Sequence, residues 1–197
     1  MRSNHDIIMD HVFVSEGGYA ERDSEPGGAV NMGISFSAFE DWWEDSGRQD
    51  ELLRKAAWSD LESLTREEAE AIYRHYYFDP LRFGQLPAGI DYAMVDFAVN
   101  SGVGGALRAV QRHWRFPVTG RIDTNRHDGP FFWALRSRNA KQVIDDICEA
   151  RLRLMMASRK WPRFKNNWTR RLRLVKARAY SMAGIGEPVE EIADGIA

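Results

Sequence analysis

With 197 residues, 44 % of them apolar, the chain can bury one core, or a core with a small appended unit. A net charge of −2 excludes a general polyanion binder, and the single cysteine, Cys148, excludes an intramolecular disulfide and suits a reducing cytosol. No stretch approaches the ~20 apolar residues of a membrane-spanning helix, and the N-terminus lacks an apolar signal core; the expectation is cytoplasmic synthesis without a signal peptide and no membrane insertion.

Helical periodicity runs through most of the chain. Ile7, Ile8, His11, Val12 and Val14 space a short amphipathic helix that stops at Gly17-Gly18. From Gly17 to Ile34 the period disappears, and the Gly-rich run predicts a small hairpin or irregular insertion. Ser35 or Ser37 can N-cap a helix carrying Phe39, Trp42 and Trp43, stopped by Gly47. Thr65 and Glu68 form a capping box for a helix that ends at Asp79-Pro80. Pro87 opens another, closing at Asn100-Ser101-Gly102, and residues 105–115 read as the next. The segment 116–130 is loop by its Pro, Gly and Asn/Asp content. Asn139 caps a helix that places Ile144, Ile147, Cys148, Leu152 and Met155 on one face. "WPRFKNNW" (161–168) is expected to break that helix before a last one begins at Thr169. The fold class is therefore mostly α with one Gly-rich insertion near the N-terminus. The expected organisation is a front region 5–101, a more basic helical region 102–183 packed with it into one unit, and an acidic tail 184–197.

Chemistry concentrates in "SEGGYAERDSEPGGAVNMGIS" (15–35). Glu16 falls at the predicted C-terminal end of the first helix, where partial negative charge disfavours a carboxylate. Such a placement raises a carboxyl pKa, as a general acid requires. Gly17 can take the left-handed conformation that ends a helix, and both glycines leave room for a bulky substrate. Tyr19 offers a ring suited to a sugar face. A loop folding back would bring Glu25 or Asp23 opposite Glu16, and two carboxylates across a gap are the equipment of glycoside hydrolysis. The competing reading is plain: "EGG" is a common helix stop, and acids in a Gly/Pro loop are usually only solvated.

Other constellations are weaker. The five histidines have no metal-ligand spacing, so no metal site and no cofactor are expected. "GVGGAL" (102–107) lacks the lysine and preceding strand of a phosphate loop and reads as a helix junction. Of seven tryptophans most should be core, and Trp168 is the first candidate for stacking on a sugar. Asp96, on an apolar helix, reads as a satisfied structural acid rather than a cleft residue. Asn100 and Gln111 could bind substrate amides, though capping also explains Asn100. Between 151 and 178 there are eleven Lys and Arg and no Asp or Glu. That stretch is either a face for an anionic polymer or a solvated balance to acids elsewhere.

The quoted stretch resembles the signature of the family 108 glycoside hydrolases, phage endolysins and secretion-associated muramidases with a helical, lysozyme-like fold. The family pattern is Glu-Gly-Gly-Tyr, then Asp-Pro-Gly-Gly, a Thr-Asn pair and Gly-Ile-Thr. "VDFAVNSG" (95–102), "LRAVQRHW" (107–114) and "FKNNWTRRL" (164–172) extend the resemblance over most of the chain. It implies Glu16 as catalytic acid and Glu25, with Asp23 as the alternative, as the second group. Tyr19, Asn31, Asn100 and Trp168 would bind substrate, and the C-terminal region would bind peptidoglycan. Three positions depart from the pattern: Glu25 replaces Asp, Val30 replaces Thr, and Ser35 conservatively replaces the final Thr; the first two leave the second group open. The implied activity is hydrolysis of the β-1,4 bond between N-acetylmuramic acid and N-acetylglucosamine in peptidoglycan glycan strands. Release to the periplasmic wall would use a holin or a secretion system. A lytic transglycosylase and a non-catalytic wall-binding or secretion-accessory protein are the rivals. Nucleic acid is not an expected partner, because the acid-rich front half would repel a duplex.

Overall fold

The computed structural model describes residues 4–21, 28–52, 54–122 and 129–186. The chain divides into two compact units, Met1–Tyr76 and Tyr77–Ala197. The boundary expected at 101–102 falls inside the second of them.

The first unit opens with helix α1, Asn4–Glu16, which buries Ile8, Met9 and Val12. Gly17 ends it at φ +77°, with its N–H on the Phe13 carbonyl at 3.1 Å. The Gly-rich segment then forms a three-stranded antiparallel sheet, β1 (Ala20–Glu21), β2 (Ala29–Asn31) and β3 (Ile34–Ser35), in the order β1-β2-β3. Val30 pairs with both Ala20 and Ser35. Met32 and Gly33 join β2 to β3 with φ of 48° and 77°, the double positive φ of a tight hairpin. Four helices follow: α2 (Phe36–Asp45), α3 (Arg48–Leu52), α4 (Trp58–Glu62) and α5 (Arg66–Tyr73). Ser35 caps α2 by accepting from the Ala38 N–H at 3.3 Å. Thr65 and Glu68 form the expected capping box on α5, each side chain accepting from the other's backbone N–H. Phe39, Trp42 and Trp43 turn from α2 into the core. The Arg48 guanidinium lies over both indoles and pairs with Glu68 at 2.5 Å. A π-helical turn, Arg74–Phe78, continues α5, and the boundary between the units lies within it.

The second unit is built on α6 (Ile90–Ser101), buried from Ile90 to Ala98. Around it stand α7 (Val103–His113), α9 (Ala140–Met156) and α10 (Trp161–Met182), while α8 (Pro130–Ser137) packs on α9. The residue before α6 is a glycine for two reasons: Gly89 stands at φ +82°, and a Cβ there would lie 2.1 Å from the Ala179 carbonyl oxygen of α10. Helix α6 starts three residues after Pro87, whose carbonyl accepts from the Ile90 and Asp91 N–H groups.

Asp96, on the buried side of α6, receives a hydrogen bond from Arg151 of α9 and another from Arg171 of α10 at 3.0 Å. Burial alone would raise its pKa, but the two guanidiniums outweigh that and hold the carboxyl below its ordinary value. Burial and the Asp96 charge push the neighbouring Tyr92 hydroxyl up to about 12. Asp96 is thus a satisfied structural acid.

Two expectations about helices change. "WPRFKNNW" does not separate two helices; it is the start of α10, and the break lies before it, at 157–160. Pro162 falls in the first turn, where a missing N–H costs nothing. Helix α8 was not foreseen, because its aromatic run follows a loop and carries no side-chain cap.

Candidate functional site

The candidate residues divide between the units. In the first, the backbone places Glu16 as the last residue of α1, and the last turn of that helix has no basic residue. The Glu16 side chain lies outside the described part of the structure, as do residues 22–27 with Asp23 and Glu25. Among the described residues, a Cβ added at Gly17 or Gly18 would meet nothing within 4 Å. Gly17 needs its positive φ, whereas Gly18 has neither that need nor a close neighbour. Gly18 leaves its flank clear of the other described residues. Tyr19, half-buried, leads directly into β1.

Asn31 is 5 % exposed. Its amide nitrogen donates to the carbonyls of Leu61 at 2.9 Å and Glu62 at 3.3 Å, near the end of α4. In the described structure this amide fastens β2 to α4. Tyr73 fastens the hairpin from the other side, donating its hydroxyl to the Met32 carbonyl at 2.9 Å. Two side chains, through three long-range bonds, therefore hold a sheet whose strands are too short to hold themselves.

Trp58 was not singled out from the sequence. It is 51 % exposed, with its edge toward Phe36 at 6.1 Å between centroids. Its ring lies so close to Gly28 that a Cβ there would be 2.9 Å from Cζ2. The second glycine of "PGG" therefore both turns, at φ +67°, and accepts an indole against its backbone. The sequence clue was that spare glycine; its partner, thirty residues on, could not be read.

The second unit holds Asn100 and Trp168. Asn100 is exposed in the last turn of α6, two residues before Gly102 at φ +70°. Trp168 is half-buried on α10, stacked on Phe164 one turn earlier (5.8 Å, 16° between planes) and near Trp161 at 6.2 Å. Exposed Arg163, Lys165 and Arg170 adjoin this aromatic strip. The basic stretch splits in two: Arg151 and Arg171 turn inward to Asp96, and Lys176 pairs with Asp145 at 2.6 Å. Gln111 is occupied as well. Its carbonyl oxygen accepts from the Gly120 N–H at 2.8 Å, and its amide donates to Thr119 Oγ1 and to the Arg121 carbonyl. It locks a loop to α7.

Among the described residues, no three His, Cys, Asp or Glu gather as metal ligands, and no helix is long and apolar enough to cross a membrane.

A mostly helical fold with a small sheet after the first helix, and an acid at that helix end, is the architecture of a glycoside hydrolase of lysozyme-like type. The family model for glycosyl hydrolase 108 matches residues 9–102, from α1 to the end of α6. Solved structures match as well. The structure of Brucella abortus SagA is 31 % identical, covering 91 % of this chain and 95 % of that one with a TM-score of 0.74. A search of curated proteins found no match. The chain belongs to the glycosyl hydrolase 108 family.

Proposed function

We propose that the chain is a peptidoglycan N-acetylmuramidase in which Glu16 is the general acid. The observation that carries this reading is the position of Glu16. It closes a helix at its negative end, followed by a left-handed glycine and open room, inside the segment that matches the family. The Glu16 carboxyl would give its proton to the glycosidic oxygen between N-acetylmuramic acid and N-acetylglucosamine as the C1–O bond breaks. Water adds to C1 of the oxocarbenium-like sugar, and the saccharide leaves with a reducing end. Glu25, or Asp23, would assist that water or stabilise the cation. Trp58 and Tyr19 supply aromatic faces for sugar rings in the same unit. Asn100 and the Trp168 strip with its exposed cations would hold the anionic wall polymer in the other. A holin or a secretion system would bring the protein to the wall.

One departure favours a second reading. With Glu in place of the family's Asp at position 25, the chemistry could run on Glu16 alone, as in a lytic transglycosylase. Mass spectrometry of digested peptidoglycan separates the two. Reducing N-acetylmuramic acid ends are expected; 1,6-anhydro ends would replace the muramidase with the transglycosylase, and intact glycan would leave a wall-binding or secretion-accessory protein.

A further inference from the structure

The second unit contains a cavity of about 930 Å³ that plays no part in the chemistry above. One wall is the outer face of α7 with Leu107, Arg108 and Gln111; another is the loop 116–122; a third is the start of α8 with Phe131 and Phe132. The walls are fixed. Gln111 clamps the loop through three hydrogen bonds, and the Phe116 N–H returns to the Gln111 carbonyl at 2.8 Å. Behind them Trp114 contacts both Phe116 and Phe131, and its indole N–H is tied to Asp146 at 2.8 Å.

Among the described residues the lining is largely aromatic, aliphatic and proline, and carries two arginines, Arg108 and Arg121. Neither guanidinium has a hydrogen-bond or ion-pair partner among the described residues, whereas the polar groups of Gln111 and Thr119 are spent on the loop. Arg108 is seated between two glycines. Its side chain leans back along α7 over Gly104, where a Cβ would be 3.1 Å from Nη1. Across from it a Cβ at Gly120 would be 2.6 Å from the same nitrogen. A side chain at either position would push the guanidinium out of this slot.

We infer that this cavity binds the peptide stem of peptidoglycan through its carboxylates, with Arg108 as the principal contact and Arg121 as the second. The identity of the ligand rests on the peptidoglycan reading. A guanidinium fork fits a carboxylate in bidentate fashion, and the apolar walls fit the aliphatic body of short residues. The volume lies near the upper end of the ~300–1,000 Å³ of typical ligand pockets, which suits a peptide of a few residues. Sugar hydroxyls are a poorer match, because among the described residues the lining offers two cations, and the Gln111 amide is already spent on the loop.

The test uses the full-length protein and calorimetry with four probes: L-alanyl-D-glutamyl-diaminopimelyl-D-alanine, the same peptide with its carboxylates amidated, a peptide-free glycan strand, and inorganic phosphate. The peptide should bind, and Arg108→Gln should weaken it about tenfold or more, as expected for one charge-assisted fork. Arg121→Gln should weaken it by less. Amidation should reproduce the Arg108 loss, Arg108→Lys should recover part of it, and glycan binding should not change. Equal peptide affinity in wild type and Arg108→Gln overturns the inference, as does phosphate binding that matches the peptide at equal ionic strength. Thermal unfolding of each variant shows that the cavity is intact. A wild type that opens peptidoglycan but ignores the peptide overturns this inference alone. One that binds the peptide but cleaves nothing overturns the muramidase and leaves the cavity standing.

Discussion

The two units hold their candidate functional groups by different means. In the first, short elements are fixed through backbone geometry: a left-handed Gly17, the positive-φ pair Met32 and Gly33, and amide and hydroxyl bonds from Asn31 and Tyr73 to carbonyls. In the second, long helices converge on buried side chains, with Asp96 tying α6 to α9 and α10. Backbone fixing leaves Gly17 and Gly18 clear of the other described residues. Side-chain fixing makes a rigid body, which suits a preformed cavity. Mutations should therefore fail differently in the two units.

The largest effect is expected at the helical centre. Asp96→Ala leaves Arg151, 1 % exposed, without its carboxylate and should cost about 3–5 kcal/mol in urea unfolding of the second unit. Next, Asn31→Ala strips the tie between β2 and α4. It should cost about 1–3 kcal/mol and raise amide exchange in the hairpin more than in α6. Helix caps provide a neutral control, since Thr65→Ala in one unit and Asn139→Ala in the other should each cost about 1 kcal/mol. If the Asn31 variant behaved like a cap variant, the contrast between the units would lose its support.

The smallest effect is a pH dependence. Burial would raise the Asp145 carboxyl, but Lys141, Lys176 and the Tyr180 hydroxyl outweigh it and bring the pKa from 3.8 to about 2. A lowered carboxyl stabilises the fold above its unfolded pKa and loses that contribution as pH falls through the folded value. The window is therefore about pH 4 down to about 2. Asp145 is partly solvated, so Asp145→Asn should flatten the acid limb of the stability profile by less than about 1 kcal/mol.

Local signals were legible in the sequence. The Thr65–Glu68 box, the Ser35 and Asn139 caps, and the stops at Gly17 and Gly102 involve residues within a few positions of one another, and each forms as read. Pro162 was misread because a proline signals both a helix break and a first turn. The environment of Asp96 depended on partners 55 and 75 residues away. Asn31 and Gln111 were named as candidate substrate contacts, and what a sequence cannot show is the strand and the loop that their amides also fasten. Trp58 and the Arg108 slot escaped notice because each is defined by a distant glycine, Gly28 in one case and Gly120 in the other.

The central claim, that Glu16 is the acid of a wall hydrolase, is tested most directly by Glu16→Gln. Release of reducing ends from purified peptidoglycan would be measured beside co-sedimentation with the same wall and thermal unfolding. The expected result is a fall in turnover of about 10²–10⁴-fold, with wall binding and stability unchanged. Turnover within a few-fold of wild type by a folded, wall-binding Glu16→Gln protein would contradict the account.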